Sequence, residues 1–189
     1  MYQTIQNLPT DYQFDNKTKE ELKLYEIWFK ENKDDRINHL IELVKTTPSF
    51  EDWNADFTPN SLNELGRWFY QNVETLKLTE EEYFNKRSQI PNYIEIEDWD
   101  LSIKTRSLIV DIGLYFGEVF IHTHKELVWK QYFSKNKKDM NNGHMVIPKF
   151  GKLELNPILV IMGTAWGLAR KKYDDKRLYD LYKIWENYL

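Results

Sequence analysis

Apolar positions recur at helical spacing along most of this chain, and between Ser107 and Ile121 they become almost continuous. A helix that is apolar on most sides is normally enclosed by others, so this stretch is the predicted centre of the fold. At about 100° per residue, Lys104, Ser107, Asp111, Glu118 and His122 fall within a sector of about 60°, which leaves the central helix one narrow polar stripe. Gly113 and Gly117 lie one turn apart on another face. Glycine costs a helix roughly 1 kcal/mol relative to alanine, and close approach of a second element would offset that. A matching pair, Gly163 and Gly167, sits in the apolar stretch Pro157 to Ala169, and the two pairs are expected to bring their helices together.

Three capping-box patterns mark helix starts in the first half: Thr18 with Glu21, Ser61 with Glu64, and Thr79 with Glu82. The first opens a helix bearing Leu22, Tyr25, Ile27, Trp28 and Phe29. Asp34 and Asp35 open a second, striped by Ile37, Leu40, Ile41 and Val44 and ended by Thr47 and Pro48. The box at Ser61 introduces Leu62, Leu65, Trp68, Phe69 and Val73, and the box at Thr79 a helix that stops before Pro91. Ser49 to Thr58 and Pro91 to Leu101 read as loops. Beyond the central helix, Leu127 to Phe133 alternates with a strand period, Asn141 to Gly143 signals a turn, and Met145 to Ile147 pairs back as a hairpin. Leu153 and Leu155 add a third short strand. Asn156 then caps a helix with Pro157 at its first position, and Asp174 caps the last, with Leu178, Leu181, Tyr182, Trp185 and Leu189 inward. No Gly/Ser-rich linker and no repeat interrupts the chain. The prediction is a single α+β domain over residues 1–189, mostly helical, with helices around a central apolar helix and a small antiparallel hairpin or three-stranded sheet.

Composition narrows the function classes. With 189 residues, 15% aromatics and seven Trp, the chain has ample material for a core. It has no Cys, which excludes disulfides, thiolate catalysis and Cys-based zinc sites. Met1 to Gln13 has neither a basic start nor an apolar run and does not read as a signal peptide. The longest uncharged apolar segment, Pro157 to Ala169, falls short of the about 20 residues a membrane span needs; a cytoplasmic protein with no membrane partner is expected. The net charge of −4 conceals an asymmetry: residues 51–100 carry 12 acidic and 4 basic side chains, and residues 101–189 carry 9 and 15.

Several groups are candidates for chemistry. Asp111, Glu118 and His122 put two carboxylates and an imidazole on one helix face, which suits a metal or an acid/base pair in a small hydrolase. The competing reading is a structural polar face meeting a cation such as Arg67, Arg87, Arg106 or Arg170, and Glu118 in particular should find an Arg, a Lys or a backbone donor. His122 and His124, with His144 from the hairpin, have the look of metal ligands, but loop histidines at a helix end fit the same pattern. No phosphate-cradling glycine loop, nucleophile elbow or cofactor motif occurs, and no metal or cofactor is expected. Lys135 to Lys138 and Arg170 to Lys172, with Lys176 and Arg177, are basic clusters. Because the pI is near 5.7, nucleic acid is disfavoured and solvated faces are favoured.

The most unusual feature is a repeated acidic-aromatic string: Glu51, Asp52, Trp53 and Asp56 with Phe57, then Glu95, Glu97, Asp98 and Trp99 with Asp100. The plain reading is a loop anchored by its Trp. The functional one is an anionic docking surface, with adjacent exposed loops, the two Trp as contact anchors and the carboxylates steering a basic partner. Further on, Tyr115, Gly117 and Glu118 ending the apolar helix, Leu127 and Trp129 in the next strand, and Asn156 with Pro157 at a helix start form a combination that resembles certain small uncharacterised bacterial proteins, which are similar to immunity proteins of polymorphic toxin systems. The resemblance covers about residues 105–170 and brings no functional residue with it. It implies a non-enzymatic cytosolic protein that neutralises a toxin domain. A nuclease would be a natural basic partner, since a phosphate-gripping site is lined with cations. The alternatives are the hydrolase and a structural or regulatory subunit; oligomeric state has no signature here.

Overall fold

The computed structural model describes residues 2–6 and 14–189. Residues 1 and 7–13, on which most of the leader-peptide reading rests, lie outside the described residues. In chain order, a short 3-10 turn (Phe14–Asn16) is followed by helix α1 (Lys19–Lys45), α2 (Ser61–Asn72), strand β1 (Thr75–Lys77), α3 (Glu80–Ser88), β2 (Trp99–Leu101), α4 (Ile103–Thr123), β3 (Lys130–Gln131), β4 (Met145–Phe150), β5 (Leu153–Leu155), α5 (Pro157–Ala169) and α6 (Arg177–Glu186). This is a mostly helical α+β fold. β1 and β2 form a two-stranded antiparallel ribbon, and β3, β4 and β5 a three-stranded antiparallel sheet in that order.

Helix α4 is the axis, buried at every position from Ser107 to Phe120. Ser102 starts it by accepting a hydrogen bond from the Thr105 amide at 3.0 Å. Side chains of α1, α2, α5, α6 and the three-stranded sheet join those of α4 in one continuous cluster. Helix α3 contributes nothing to that cluster, neither a buried side chain nor a half-buried one packed against it.

Helix α1 runs unbroken for 27 residues, so the expected second helix starting at Asp34 is the second half of the first. Its buried face steps through Leu22, Tyr25, Phe29, Arg36, Ile37, Leu40 and Val44. Asp34 and Asp35, read as a helix start, are exposed residues in mid-helix, and Lys33 and Arg36 beside them turn toward α4. The box at Thr18 forms as expected, with Thr18 and Glu21 exchanging hydrogen bonds, and so does the box at Thr79. The box at Ser61 does not: α2 is capped at Asn60, and the Ser61 hydroxyl is drawn instead to Thr58 and Tyr115. Asp174 shapes the turn before α6 by accepting from the Lys176 amide, and the cap position is Lys176.

The predicted strand Leu127 to Phe133 shrinks to Lys130–Gln131, paired with Val146 and Met145. Trp129 leaves the ladder to hydrogen-bond Glu118 and to pack against Phe29. The third strand and the Asn156 cap with Pro157 are as expected. Pairing of β1 with β2 was not expected, because three residues are too few to show a period.

The two glycine helices do pack together, and α4 with α5 is the most extensive contact between elements. Their glycine pairs do not face each other, however. A Cβ at Gly113 would lie 2.8 Å from the Ile158 backbone, and one at Gly117 would lie 2.2 Å from the Trp129 ring and 3.2 Å from Pro157. A Cβ at Gly163 would meet nothing within 4 Å among the described residues, and one at Gly167 would meet Tyr173 instead. The start of α5, rather than its glycines, rides over the glycines of α4.

These surroundings set opposite signs for two like substitutions. Gly117→Ala should destabilise by about 1–3 kcal/mol, because the Trp129 ring is held by its own hydrogen bond and cannot move freely. Gly163→Ala should stabilise by about 0.5–1 kcal/mol through helix propensity alone. Urea midpoints of the two variants would check both; shifts of the same sign would contradict the packing described.

Candidate functional site

The polar stripe of α4 faces the cationic middle of α1. Arg36 clasps Asp111 with two hydrogen bonds, Nε to Oδ1 at 2.8 Å and Nη2 to Oδ2 at 2.6 Å. The Tyr2 hydroxyl donates to the same carboxylate at 2.5 Å, and Arg36 Nη1 reaches the Gln3 carbonyl at 2.8 Å. One turn before Asp111, the Ser107 hydroxyl accepts from the Ile5 amide at 2.9 Å. Residues 2–6 thus lie as a strap across α1 and α4. Burial pushes the Asp111 carboxyl up, and Arg36 and then Tyr2 oppose that shift by stabilising its charge. Burial also pushes the Tyr2 phenol up, reinforced by the neighbouring carboxylate.

Glu118, two turns on, belongs to a separate cluster. Its Oε1 takes the Lys33 ammonium at 2.9 Å and the Trp129 indole N–H at 2.8 Å. Burial lowers the Lys33 ammonium, but its hydrogen bonds to Asp34 and Glu118 outweigh this and leave it raised. Glu118 therefore finds a Lys, as expected. The partners named from sequence were wrong, since Arg36 and Lys33 do the pairing and none of Arg67, Arg87, Arg106 or Arg170 does.

Asp111, Glu118 and His122 do not converge on one point. His122 is exposed, its ring tilted against Phe57 with centroids 4.6 Å apart and its Nε2 3.8 Å from Glu118. His124 sits 3.3 Å from the Tyr182 hydroxyl at the end of α4. His144 is buried against Phe14, ring centroids 4.3 Å apart, and near Tyr25. The three histidines go to three places. Among the described residues no group of three or more His, Asp or Glu is placed to hold a metal ion.

The acidic-aromatic loops are built differently from the docking surface predicted. Trp53 is only 1% exposed; its indole N–H donates to the Ser61 carbonyl at 3.0 Å and its ring packs 5.3 Å from Tyr115. It cannot serve as a contact anchor, because the core has already claimed it. Asp56 is exposed but tied to its own loop, accepting from Asn54 and Thr58. Trp99 is half-buried and stacked on Trp166 at 5.2 Å. Glu97 pairs with Arg170 at 2.9 Å and Asp100 with Arg106 at 2.7 Å. Glu51, Asp52, Glu95 and Asp98 remain exposed, and no ion pair among the described residues engages them. The two loops are fixed to different helices, one through Ser61 and Tyr115 and the other through Trp166.

Sequence reasoning also missed the exposed aromatic residues of the segment between these loops, Phe84 and Tyr93. Their only signal was the lack of a helical apolar stripe around them. In comparisons with known proteins, no family model matches the chain and no similar curated protein or solved structure was found.

Two stability measurements test this reading of the polar groups. Arg36→Met should cost about 3–5 kcal/mol, since it strands a buried carboxylate, and adding Asp111→Leu should recover a large part of that loss. A double variant no more stable than the single one would show that the charge pair is not what matters there. His144 supplies the second test. Burial lowers its imidazole to about 4, so below its ordinary value near 6.5 the unfolded chain takes up a proton that the folded chain refuses. Stability should fall as pH drops from 6.5 toward 4 and level off below, with about 2 kcal/mol lost by pH 5. His144→Leu should remove that component of the difference between pH 7 and pH 5; an unchanged difference would refute it.

Proposed function

We propose that this chain is a non-enzymatic binding protein of the immunity type, occupying a basic toxin domain such as a nuclease. One observation carries the proposal. Glu51, Asp52, Glu95 and Asp98 are exposed and without ion pairs among the described residues, on loops whose tryptophans are packed inward. The tryptophans act as struts, and a strut lowers the ordering cost that a flexible acidic loop would incur on binding. Fixed carboxylates with no internal cation offer their charge to an outside partner, speeding encounter with a basic surface.

The hydrolase alternative loses its support from the same geometry. Asp111 is fully buried and clasped by Arg36, while Glu118 is engaged by Lys33 and Trp129. A general acid or base needs a proton path to substrate, and Asp111 has no exposed surface. Among the described residues no helix is long and apolar enough to cross a membrane, and a cytosolic location goes with the proposal.

The test is association with the catalytic domain of a toxin encoded beside this chain's gene. The protein should inhibit that domain stoichiometrically, with an association rate that falls as salt rises. Replacing Glu51, Asp52, Glu95 and Asp98 together with Lys should slow stopped-flow association at low salt by at least about tenfold and leave the unfolding midpoint nearly unchanged. Association as fast as wild type would remove these carboxylates from the interface.

A further inference from the structure

Residues 74–100 form a unit that meets the core through Trp99, while its helix α3 gives the core no side chain. They carry eight carboxylates against three cations, and the cations are spent internally or stand alone. Arg87 holds the carbonyls of Ile90, Pro91 and Ile94 at 2.5–2.7 Å. Lys86 reaches the Trp99 carbonyl and lies over the Trp166 ring. Only Lys77 is left in solvent. Helix α3 has nine residues and no buried side chain, whereas isolated helices shorter than about 12–15 residues are marginal in water. Polar contacts keep it in place: the Thr79–Glu82 box, the Arg87 staple and Lys86.

What this polar frame displays is apolar. Phe84 is 68% exposed, Tyr93 is 87% exposed on the turn stapled by Arg87, and Leu76 is 57% exposed on β1. Leu76 is paired with Asp100, so it lies on the opposite face of the ribbon from Leu101 and Trp99, which turn toward the core. Beside Phe84, Leu78 and Tyr83 floor a shallow groove of about 320 Å³ whose rim carries two carboxylates, Glu80 and Asp98, against one cation, Lys77. Neither rim carboxylate has an ion pair among the described residues.

We infer that the outer face of α3 with β1 and the turn 90–94 is the docking surface, and that its occupant is a basic segment of a protein partner carrying an apolar side chain for the groove beside Phe84. The apolar groove calls for an apolar side chain, and the unpaired carboxylates on its rim call for flanking Lys or Arg. Nucleic acid and anionic membrane are repelled by the same carboxylates. A second copy of the chain docked face to face would bring like charges together. The inference rests on the proposed function for its basic partner and gives that partner a seat.

The experiment begins with a random peptide library displayed on phage and selected against the full chain. An enriched peptide is then synthesised, labelled and titrated by fluorescence anisotropy. Enriched peptides should be rich in Lys or Arg and carry an apolar residue. Phe84→Ser with Tyr93→Ser should weaken binding at least tenfold, and Glu80→Lys with Asp98→Lys likewise, with circular dichroism and unfolding midpoint unchanged because all four side chains are exposed. Glu31→Lys with Asp180→Lys, exposed carboxylates on α1 and α6, should leave it within twofold. Selection that yields no binder, or binders without positive charge, overturns the inference, as does a basic binder indifferent to Phe84 and Tyr93. A basic peptide seated at Phe84 by a chain that fails to inhibit its neighbouring toxin would sink the immunity proposal alone. Equal inhibition of the toxin by wild type and the Phe84/Tyr93 variant would sink this surface alone.

Discussion

The fold depends on neutralising two carboxylates inside its central, buried helix. An ionised side chain taken out of water is costly unless a partner and further hydrogen bonds compensate it. Asp111 and Glu118 lie seven positions apart on α4, and α1 presents Arg36 and Lys33 to them. Each pair is completed by a neutral donor, Tyr2 for Asp111 and Trp129 for Glu118. Sliding α1 by one turn along α4 would strand both carboxylates at once, while apolar contacts alone would tolerate such a slip far better. The pairs therefore fix the register of the two longest helices, and Trp129 couples that register to the start of the three-stranded sheet.

The same pairs explain what was and was not legible in the sequence. Apolar density marked α4 as central, and the Thr18 and Thr79 boxes and the Asn156 cap marked helix starts correctly, since these signals are local. Asp34 and Asp35 misled because paired aspartates read as a helix start, whereas here they face solvent in mid-helix while Lys33 and Arg36 reach acidic partners about seventy-five or more positions away. Ser61 misled for a related reason: Tyr115 and Thr58 hold the hydroxyl that a cap would need. The glycine pairs announced close packing, yet a sequence cannot say whether the neighbour is another glycine, the start of α5 or an indole. At the candidate surface, the excess of carboxylates was readable and the direction of each tryptophan was not. Burial is decided by what surrounds the ring, and the core took Trp53 and half of Trp99.

Under the proposed function, inward tryptophans change how the acidic loops would serve a partner. A solvent-facing tryptophan would have made each loop a contact anchor on a mobile support. Turned inward, the tryptophans hold Glu51, Asp52, Glu95 and Asp98 at fixed positions. Glu97 and Asp100 differ from these because Arg170 and Arg106 already satisfy them. The sorting of carboxylates into paired and open sets is visible only in three dimensions, and it separates side chains that shape the loop from side chains free to act outside it.

Two uses of polarity thus divide the molecule. Within the core, opposite charges are matched to each other. Over residues 74–100 the acidic charges outnumber the cations, and the exposed apolar residues sit among them. Either feature alone would be unremarkable on a protein surface, since scattered apolar exposure is normal and acidic helix starts favour the macrodipole. Their coincidence on a helix that gives nothing to the core is harder to account for by folding alone, because α3 could fill its outward face with polar residues at no structural cost. An aromatic ring held rigidly in water by polar contacts gains most when a partner removes it from water. The surrounding carboxylates decide which partners come close enough to do so.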